Sequence, residues 1–395
     1  MLTRSPQFDA ALIAGAEVVV QATITQAGVP VLDLDLLPGA KINLSDTVSS
    51  RRVFTGQVAD YDGTLSPHLP TDPLAPYTSE LVVKTGLVLP EPSIYSVPYG
   101  TKYLESIPLG VFRLLTTTDE STGLITITGP DRAAVVAFAG DEIPYVIPAG
   151  SPLGSAIGGY LASKYPALPY LPDGAANSVT TTSTVVFAPG GSNDPFTNIR
   201  MLAVQYGREC YIDNLGNCIL RPIPVPSLWP VSWIYTPGAA NLATSGTHIM
   251  DTSNTVNVVV VTAGGTGVAT PVTATSEITD PTSPIYPDPA GFGRRPLFLQ
   301  SSQAQTESDC LVAGQALLNQ QVGADDSVHF TAVPNPCHEP SDVVSYASNL
   351  LGLQQLLVLS AWSLPVDLLS AVAYTTRTAG TQAETVLEDV LNSTL

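Results

Sequence analysis

The sequence predicts a mainly β fold with an α+β insertion, in which two β-rich units flank a smaller unit that contains helices. Short segments with alternating apolar residues fill the first third of the chain, helix-like segments occupy the middle, and strand-like segments return towards the end. This change of texture predicts four parts. They are a first β-rich unit at 1–133, a small α+β unit at 134–209, a second β-rich unit with one helix at 210–350, and strands with a terminal helix at 351–395.

Period-two patterns define the first unit. Apolar residues alternate through 16–25 and 31–37, which is typical of half-buried strands, and the linker Ala27-Gly28-Val29-Pro30 is short enough for a hairpin. Further strands are predicted at 53–58, 80–84, 111–115 and 124–128. Roughly six short strands in about 130 residues favour a small barrel or sandwich.

Two proline-rich stretches, 66–76 and 90–108, are predicted to be long loops or arms. Proline lacks the N–H that a helix or a central strand requires. Such loops serve as lids in monomeric enzymes and reach neighbouring subunits in oligomers, and the sequence leaves both uses open.

The middle region carries two helix starts. Ser151 as N-cap with Pro152 at the first helical position predicts a helix from about 152 to 164, and Asp194-Pro195 predicts a second helix that ends near Gly207. Two apolar segments around a turn rich in Asp, Asn and Gly then predict a hairpin at 210–220. This hairpin places Cys210 and Cys218 on facing strands, where packed free thiols are favoured over a bridge or a metal site.

The second β-rich unit begins with a run of valines at 256–262, which is long enough for one buried strand. Helical spacing returns at 306–321, followed by predicted strands at 327–333, 342–347, 356–362 and 371–377. Apolar residues near the end predict a terminal helix that includes Val386, Leu387, Val390 and Leu391.

The charge balance limits the choice of partners. The chain of 395 residues carries 34 acidic and 15 basic residues, which gives a net charge of −19. Because the bases cluster only at Arg51-Arg52 and Arg294-Arg295, stable nucleic-acid binding is not expected. An acidic wall would suit a conduit along which DNA slides, and acidity for solubility alone is the alternative reading.

Targeting signals and a cysteine framework are also missing from the sequence. No secretory signal is recognisable, and the longest apolar stretch, 350–362, is too short to span a bilayer. The four cysteines, Cys210, Cys218, Cys310 and Cys337, have no CxxC spacing and are expected to be reduced.

The sequence has no recognisable catalytic grouping. His68, His248, His329 and His338 are scattered, and neighbours in Cys337-His338-Glu339 point to opposite faces of an extended segment. Gly264-Gly265-Thr266-Gly267 lacks the Lys-Ser/Thr of a phosphate loop. The acid pairs, which are Asp33 with Asp35, Asp141-Glu142 and Asp325-Asp326, fit solvated strand faces and turns. The sequence therefore predicts no enzyme, with no catalytic, cofactor-binding or metal-binding residues and no cofactor.

A series of short motifs resembles one family in order and spacing. The series is Phe8, the strand at 18–25, Leu32 to Leu36, Arg51-Arg52, Leu74-Ala75-Pro76-Tyr77, Glu80-Leu81, Ile107-Pro108-Leu109-Gly110-Val111-Phe112-Arg113, Gly129-Pro130-Asp131-Arg132, the hairpin with Arg221-Pro222, Asn257-Val258-Val259 and the stretch 280–344. In this order they resemble the phage tail hub family, the minor tail proteins of actinobacterial phages, which is distantly related to baseplate hubs of contractile tails. The chain departs from the family at Ser341-Asp342, where glycine usually precedes the aspartate.

The resemblance implies a structural role. Family members resemble a fold with two tail-tube-like barrels per chain, and three chains combine into a ring of six similar barrels at the distal end of the tail. The expected partners are the other two copies, the distal tail or tail tube protein, the tape measure protein and other tail tip proteins. DNA would pass through the lumen, and assembly would take place in the host cytoplasm.

Two alternatives stay open at this point. One is a hub from a tail-derived injection particle. The other is a secreted β-rich carbohydrate-binding protein or glycoside hydrolase, which the acidic, Thr/Pro/Gly-rich composition fits. The second alternative predicts a signal peptide, an aromatic platform and paired catalytic carboxylates, whereas the sequence has only three tryptophans, two of them, Trp229 and Trp233, clustered beside prolines.

Overall fold

The computed structural model describes residues 2–190, 194–225, 228–238, 241–253, 255–263, 272–301, 304, 306–321 and 326–379. Within these residues strands outnumber helices by a wide margin, which confirms the predicted mainly β fold with a few helices. The predicted turn at 264–267 and the predicted terminal helix lie outside the described residues. The division into four domains predicted from the sequence stays a prediction.

The first 130 residues form one helix and nine strands. In chain order they are α1 (Pro6–Ala14), β1 (Val18–Gln26), β2 (Val29–Leu34), β3 (Lys41–Ser45), β4 (Arg52–Ala59), β5 (Ser79–Leu89), β6 (Val97–Tyr99), β7 (Lys102–Arg113), β8 (Thr116–Glu120) and β9 (Leu124–Pro130). The predicted hairpin is confirmed, because Ala27 and Gly28 have φ angles of 50° and 77° and join β1 to β2. Positive φ at both turn residues matches the right-handed twist of the flanking strands.

One prediction for this region is wrong. The stretch 90–108 is not a continuous loop, because β6 and half of β7 lie within it. Pro108 is tolerated because it sits where the register of β5 against β7 shifts by one residue, and Pro98 lies on β6 at the edge of its sheet. Bulges and edges are the two places where a strand does not need the missing N–H.

The α+β region contains three helices and five short strands. In chain order they are α2 (Ala133–Phe138), β10 (Tyr145–Ile147), α3 (Leu153–Lys164), β11 (Tyr170–Pro172), a 3-10 turn (Ala176–Ser178), β12 (Val185–Phe187), α4 (Pro195–Gln205), β13 (Arg208–Ile212) and β14 (Cys218–Pro222). The start of α4 is confirmed, since the Asp194 carboxylate accepts a hydrogen bond from the Thr197 N–H at 2.7 Å. The hairpin predicted at 210–220 is also confirmed, as β13 and β14.

The predicted cap of α3 is wrong in detail. The N-cap position is Pro152, which has no side-chain acceptor, and the Ser151 hydroxyl donates to the carbonyl of Pro148 instead. The free Ser155 N–H at the helix start donates to Asn177 Oδ1 at 2.9 Å. A side chain from the neighbouring 3-10 turn therefore replaces the local cap.

The second β-rich region and a small α/β layer complete the described chain. Their elements are β15 (Trp233–Tyr235), β16 (Pro237–Gly238), β17 (Asn241–Met250), β18 (Val258–Ala263), β19 (Thr273–Glu277), β20 (Pro296–Ser301), α5 (Glu307–Gln321), β21 (Asp326–Ala332), β22 (Val343–Ser348), β23 (Leu353–Pro365) and β24 (Val372–Thr378). The helix predicted at 306–321 and all the strands predicted from 256 to 377 are confirmed.

Strand β23 joins the two β-rich regions. Its first half pairs with β22 and β24, and its last five residues pair with β3 in the first region. The resulting order is β16-β17-β21-β24-β23-β3-β4-β9-β8, with β15 and β22 attached beside β23. One sheet therefore runs through both regions of the described chain.

The other sheet of the first region, β2-β1-β5-β7-β6, is antiparallel throughout and faces this long sheet. Isolated bridges join the two sheets, from Leu36 to Val58 and from Phe112 to Asp131. A single apolar core extends from Phe8 and Phe54 in the first region to Phe330 and Tyr374 in the second.

The two helical layers have cores of their own. One surrounds Tyr160, Phe196 and Leu220, and the other lies between α5 and the β19-β18-β20 sheet. Because the hairpin β13–β14 belongs to the first of these cores, it packs with the helices α3 and α4.

Candidate functional site: a buried ionic junction

A group of buried charged side chains lies where β4, β13 and the loop before β22 meet. Arg51, immediately before β4, donates through Nη2 to Glu209 Oε2 on β13 at 2.6 Å. Arg221 on β14 donates through Nε to the other oxygen, Oε1, also at 2.6 Å. Both Arg51 and Glu209 are less than 10% exposed. We call this group the ionic junction and extend it below to Arg52, Glu339, Asp131, Arg132 and Glu80.

Arg52 links three parts of the chain. Its Nη1 donates to the carbonyl oxygen of Ile212 at 2.8 Å, and its Nη2 donates to Glu339 Oε1 at 2.8 Å. The side chain is 2% exposed. A guanidinium group presents several donors in a fixed plane, so a single Arg52 can hold β13 and the loop before β22 in position at once.

Aromatic rings complete the junction. The ring of Tyr211 lies between two guanidinium groups, with its centroid 4.2 Å from Arg51 Cζ and 4.9 Å from Arg221 Cζ. Arg221 also lies 5.0 Å from the ring of Trp229. Such cation–π contacts are stronger where water is excluded, as it is here.

A second branch starts at the Gly-Pro-Asp-Arg turn. The Asp131 carboxylate accepts from the backbone N–H of Arg52 at 3.1 Å and from that of Ala133 at 3.0 Å. Arg132 forms two hydrogen bonds with Glu80, at 2.6 and 2.9 Å, and donates to the carbonyl of Gly216 at 3.1 Å. This branch attaches β5 and β9 to the β13–β14 hairpin.

The proton equilibria of the junction reflect burial and pairing. Burial alone would raise the pKa of Glu209, but Arg51 and Arg221 outweigh it, and the net pKa is lowered. For Arg51, burial opposes the charge while Glu209 favours it, and the net pKa is raised. Burial raises the pKa of Asp131 to about 6, despite the hydrogen bond from the Arg52 N–H and the nearby Arg52 charge.

The arrangement joins distant segments of the chain. The guanidinium donors of Arg51 and Arg52 point at protein acceptors. A buried pair roughly offsets its own desolvation cost, whereas removal of one partner costs about 3–5 kcal/mol because it leaves a buried charge alone. The junction therefore fixes the relative position of the three regions.

The sequence pointed to most residues of this site but not to their pairing. Arg51-Arg52, Glu80, Asp131-Arg132 and Glu339 stand in separate motifs, and Glu209 was not singled out. The pairs Arg132–Glu80, Arg51–Glu209 and Arg52–Glu339 join residues 52, 158 and 287 positions apart. Glu209 did carry a signal, since it is a charged residue within a strand whose other residues are also buried.

The other candidates that the sequence raised are dispersed. His248 pairs with Asp326 at 2.6 Å, His338 contacts the Tyr235 hydroxyl at 2.7 Å, and His68 and His329 are exposed. Asp33 accepts from Thr23, and Asp141 pairs with Lys164. The four cysteines are buried and free, and Sγ of Cys210 lies 3.3 Å from that of Cys218. Among the described residues, no group of His, Cys, Asp and Glu could hold a metal ion.

The two tryptophans considered as an aromatic platform are both covered by arginine. Arg221 lies over Trp229 and Arg4 lies over Trp233, at 5.0 and 5.1 Å from the ring centroids. Both rings also pack against buried clusters.

No helix in the described part of the chain is long and apolar enough to cross a membrane.

The fold is similar to that of known proteins. No protein-family model matches the sequence, and no curated protein matches it either. Three solved structures are similar over almost their whole length. They are a tail protein of prophage MuSo2 from Shewanella oneidensis (TM-score 0.59, 12% identity, 91% of this chain and 98% of that chain), a tail protein from Neisseria meningitidis (0.61, 11%, 92% and 98%) and a prophage tail protein from Listeria monocytogenes (0.53, 11%, 94% and 99%).

At 11–12% identity the similarity shows the fold alone. The chain has the fold of these phage tail proteins across both β-rich regions and the helical layers between them.

Proposed function

We propose that the chain is a structural hub protein of a phage tail and has no enzymatic activity. Three copies would form a ring at the distal end of the tail and leave a channel for DNA. The observation that carries the proposal is the fold similarity to three tail proteins, which covers 91–94% of this chain and 98–99% of theirs. The motif series that resembles the actinobacteriophage minor tail proteins adds independent support.

The proposed ring uses both β-rich regions as tube-like barrels. In the first, the bridges Leu36–Val58 and Phe112–Asp131 connect the five-stranded sheet with β4 and β9. In the second, β15–β17 and β21–β24 would form the equivalent barrel, and the pairing of β3 with β23 would hold the two side by side. Three chains would then supply six similar barrels.

Exposed apolar residues supply candidate contacts with neighbours. The arm around β6 carries Ile94, Tyr95, Val97 and Tyr99, which are 85%, 49%, 56% and 43% exposed. Clustered exposed apolar side chains are typical of interaction surfaces. We propose that this arm, hereafter the β6 arm, contacts an adjacent copy, while other surfaces contact the tail tube, the tape measure and other tail tip proteins.

The net charge of −19 supports a channel that DNA crosses without being held. Acidic side chains on the wall would repel phosphates, whereas a wall of Lys and Arg would release counterions and bind them. The positions of the acids in an assembled ring test this part of the proposal, since a lumen lined with Lys and Arg would exclude it.

The assembly can be tested in virions and in solution. Immunogold labelling with antibodies against this chain should decorate the distal tail tip, and native mass spectrometry of the purified protein should detect a trimer. Tyr99→Asp in the β6 arm should reduce the trimer, whereas Leu350→Asp, which alters an exposed apolar residue outside the arm, should not. A protein that is absent from virions and hydrolyses or binds a glycan would contradict the proposal.

A further inference from the structure

A cavity of about 510 Å³ lies beside the ionic junction, where α4, α5 and the loop after β3 approach β23 and β24. Its volume falls within the usual range for small-molecule sites. The walls come from the first β-rich region, both helical layers and the second β-rich region. The cavity is therefore a product of how these regions pack together.

Five charged side chains line the cavity, namely Arg51, Arg200, Arg377, Asp46 and Glu209. Arg51 and Glu209 neutralise each other through their 2.6 Å contact. Asp46 is attracted by Arg377 and Arg51, although burial raises its pKa. Three cations and two anions leave a net positive charge in the cavity, although the whole chain is strongly acidic.

Arg200 supplies one of the three positive charges. Its Nη1 lies 3.4 Å from the hydroxyl of Ser49, and within the described part of the chain it forms no ion pair with an acidic side chain. Asp194 and Glu209 act on it only from a distance, while burial and the nearby Arg51 lower its pKa. A half-buried guanidinium group without an adjacent counter-charge is stabilised by any anion that can reach it.

Part of the wall is apolar. It comprises Met201 and Val204 from α4, Ala313 and Leu317 from α5, and Ile223 and Leu299. A fully hydrated inorganic anion would leave this wall unused. An aliphatic group joined to the anion would cover this apolar surface, and each Å² of apolar surface removed from water would contribute about 25 cal/mol of binding free energy.

We propose that this cavity binds an aliphatic carboxylate, with the carboxylate on Arg200 and the aliphatic group between α4 and α5. The C-terminal residue of a peptide and a free small acid share this chemistry. The inference does not depend on the hub proposal, because it rests on the cavity of a single chain.

Saturation-transfer NMR of the full chain tests the site with three probes. N-acetyl-leucine mimics a peptide end, isovalerate is a free acid, and N-acetyl-leucinamide has the same aliphatic group without the charge. Both acids should bind, and the amide should bind at least about tenfold more weakly, because it lacks the negative charge that Arg200 would contact. A tenfold difference corresponds to about 1.4 kcal/mol of binding free energy. Tighter binding of N-acetyl-leucine than of isovalerate would assign the site to peptide ends, and the reverse order would assign it to free acids.

Variants locate the binding. Arg200→Gln should abolish the preference for acid over amide, while Arg294→Gln, which alters an exposed arginine elsewhere, should retain it. Leu317→Phe narrows the cavity without changing its charge and should weaken all three probes. The proposal is overturned if the acids and the amide bind equally to the wild type, if nothing binds, or if both cavity variants fold and bind as the wild type does.

Discussion

Arg51 and Glu209 form a buried ion pair at 2.6 Å between residues 158 positions apart in the sequence. The pair ties the start of β4 to β13 and thus the first β-rich region to the α+β layer. The neighbouring arginine, Arg52, extends the link to Glu339 in the second β-rich region. Two consecutive arginines therefore hold three regions of the chain together.

Loss of the central carboxylate should be costly. Glu209→Gln leaves Arg51 and Arg221 without their shared counter-charge, and the unfolding free energy at neutral pH should fall by about 3–5 kcal/mol. Chemical denaturation monitored by circular dichroism measures the change. Because the folded pKa of Glu209 is lowered, the stabilisation is present above its unfolded pKa and is lost as the pH falls through the folded value.

The matched control is Glu277→Gln, which breaks the exposed pair between Glu277 and Arg294, also 2.6 Å apart. Both of its side chains are at least 40% exposed, so the expected loss is about 0–1 kcal/mol. Equal losses from the two substitutions would show that burial does not set the strength of the Glu209 contacts.

Asp131 should contribute more to the free energy of unfolding in mild acid than at neutral pH. Its pKa is about 6 in the folded protein and 3.8 in the reference state, so the folded chain holds this proton more tightly. The contribution is fully present below the unfolded pKa and is lost as the pH rises through about 6, and it amounts to about 3 kcal/mol.

The variant Asp131→Asn isolates this effect because it has no proton to lose at that position. The difference in unfolding free energy between wild type and variant, measured at several pH values, should decrease between about pH 4 and pH 7. Contributions from other titrating groups cancel in this difference. A difference that stays constant or increases would contradict the assignment.

Gly246 on β17 should not tolerate a side chain. A Cβ atom there would overlap the Tyr346 hydroxyl and lie 2.9 Å from Tyr346 Cζ, inside the core of the second β-rich region. Gly246→Ala should lower the unfolding free energy by about 1–3 kcal/mol through overpacking. Thermal denaturation provides the measurement.

Two further variants check the cause. Tyr346→Phe removes the hydroxyl, so adding it to Gly246→Ala should restore part of the loss. Gly140→Ala, at a position where a Cβ meets nothing within 4 Å, should change the stability little. An equal effect at positions 246 and 140 would argue against a steric origin.

The thiols should be unreactive in the folded protein. All four cysteines are buried and free. The hydrogen bond with Cys210, together with burial, raises the pKa of Cys218, and burial raises the pKa of Cys310 and that of Cys337, the latter to about 12. Because the thiolate is the reactive form, Ellman's reagent should release almost no product at neutral pH. The denatured chain should release four equivalents. Rapid reaction of even one thiol in the native protein would contradict this burial.

Much of the fold could be predicted because its signals are local. Alternating residues in β1 and the valine run in β18 identify strands, and Asp194-Pro195 identifies the start of α4. Two local predictions failed because a segment distant in sequence provided the cap or the pairing geometry. Asn177 caps α3 in place of Ser151, and a register shift accommodates Pro108 in β7. Helix α1 was not predicted, although Ser5-Pro6 has the same starting pattern as Asp194-Pro195. In the structure the Ser5 hydroxyl caps this helix by accepting a hydrogen bond from the Phe8 N–H at 3.1 Å.

The sequence by itself determined the mainly β character, the order of most elements and the scarcity of catalytic groupings, because propensity, periodicity and turn chemistry act within a few residues. Only the tertiary structure decided that β23 pairs with β3, that Glu209 and Glu339 meet the two arginines, and that Arg200 lines a cavity. These contacts depend on desolvation and on packing between distant segments, and no local pattern encodes which buried charge will face which partner.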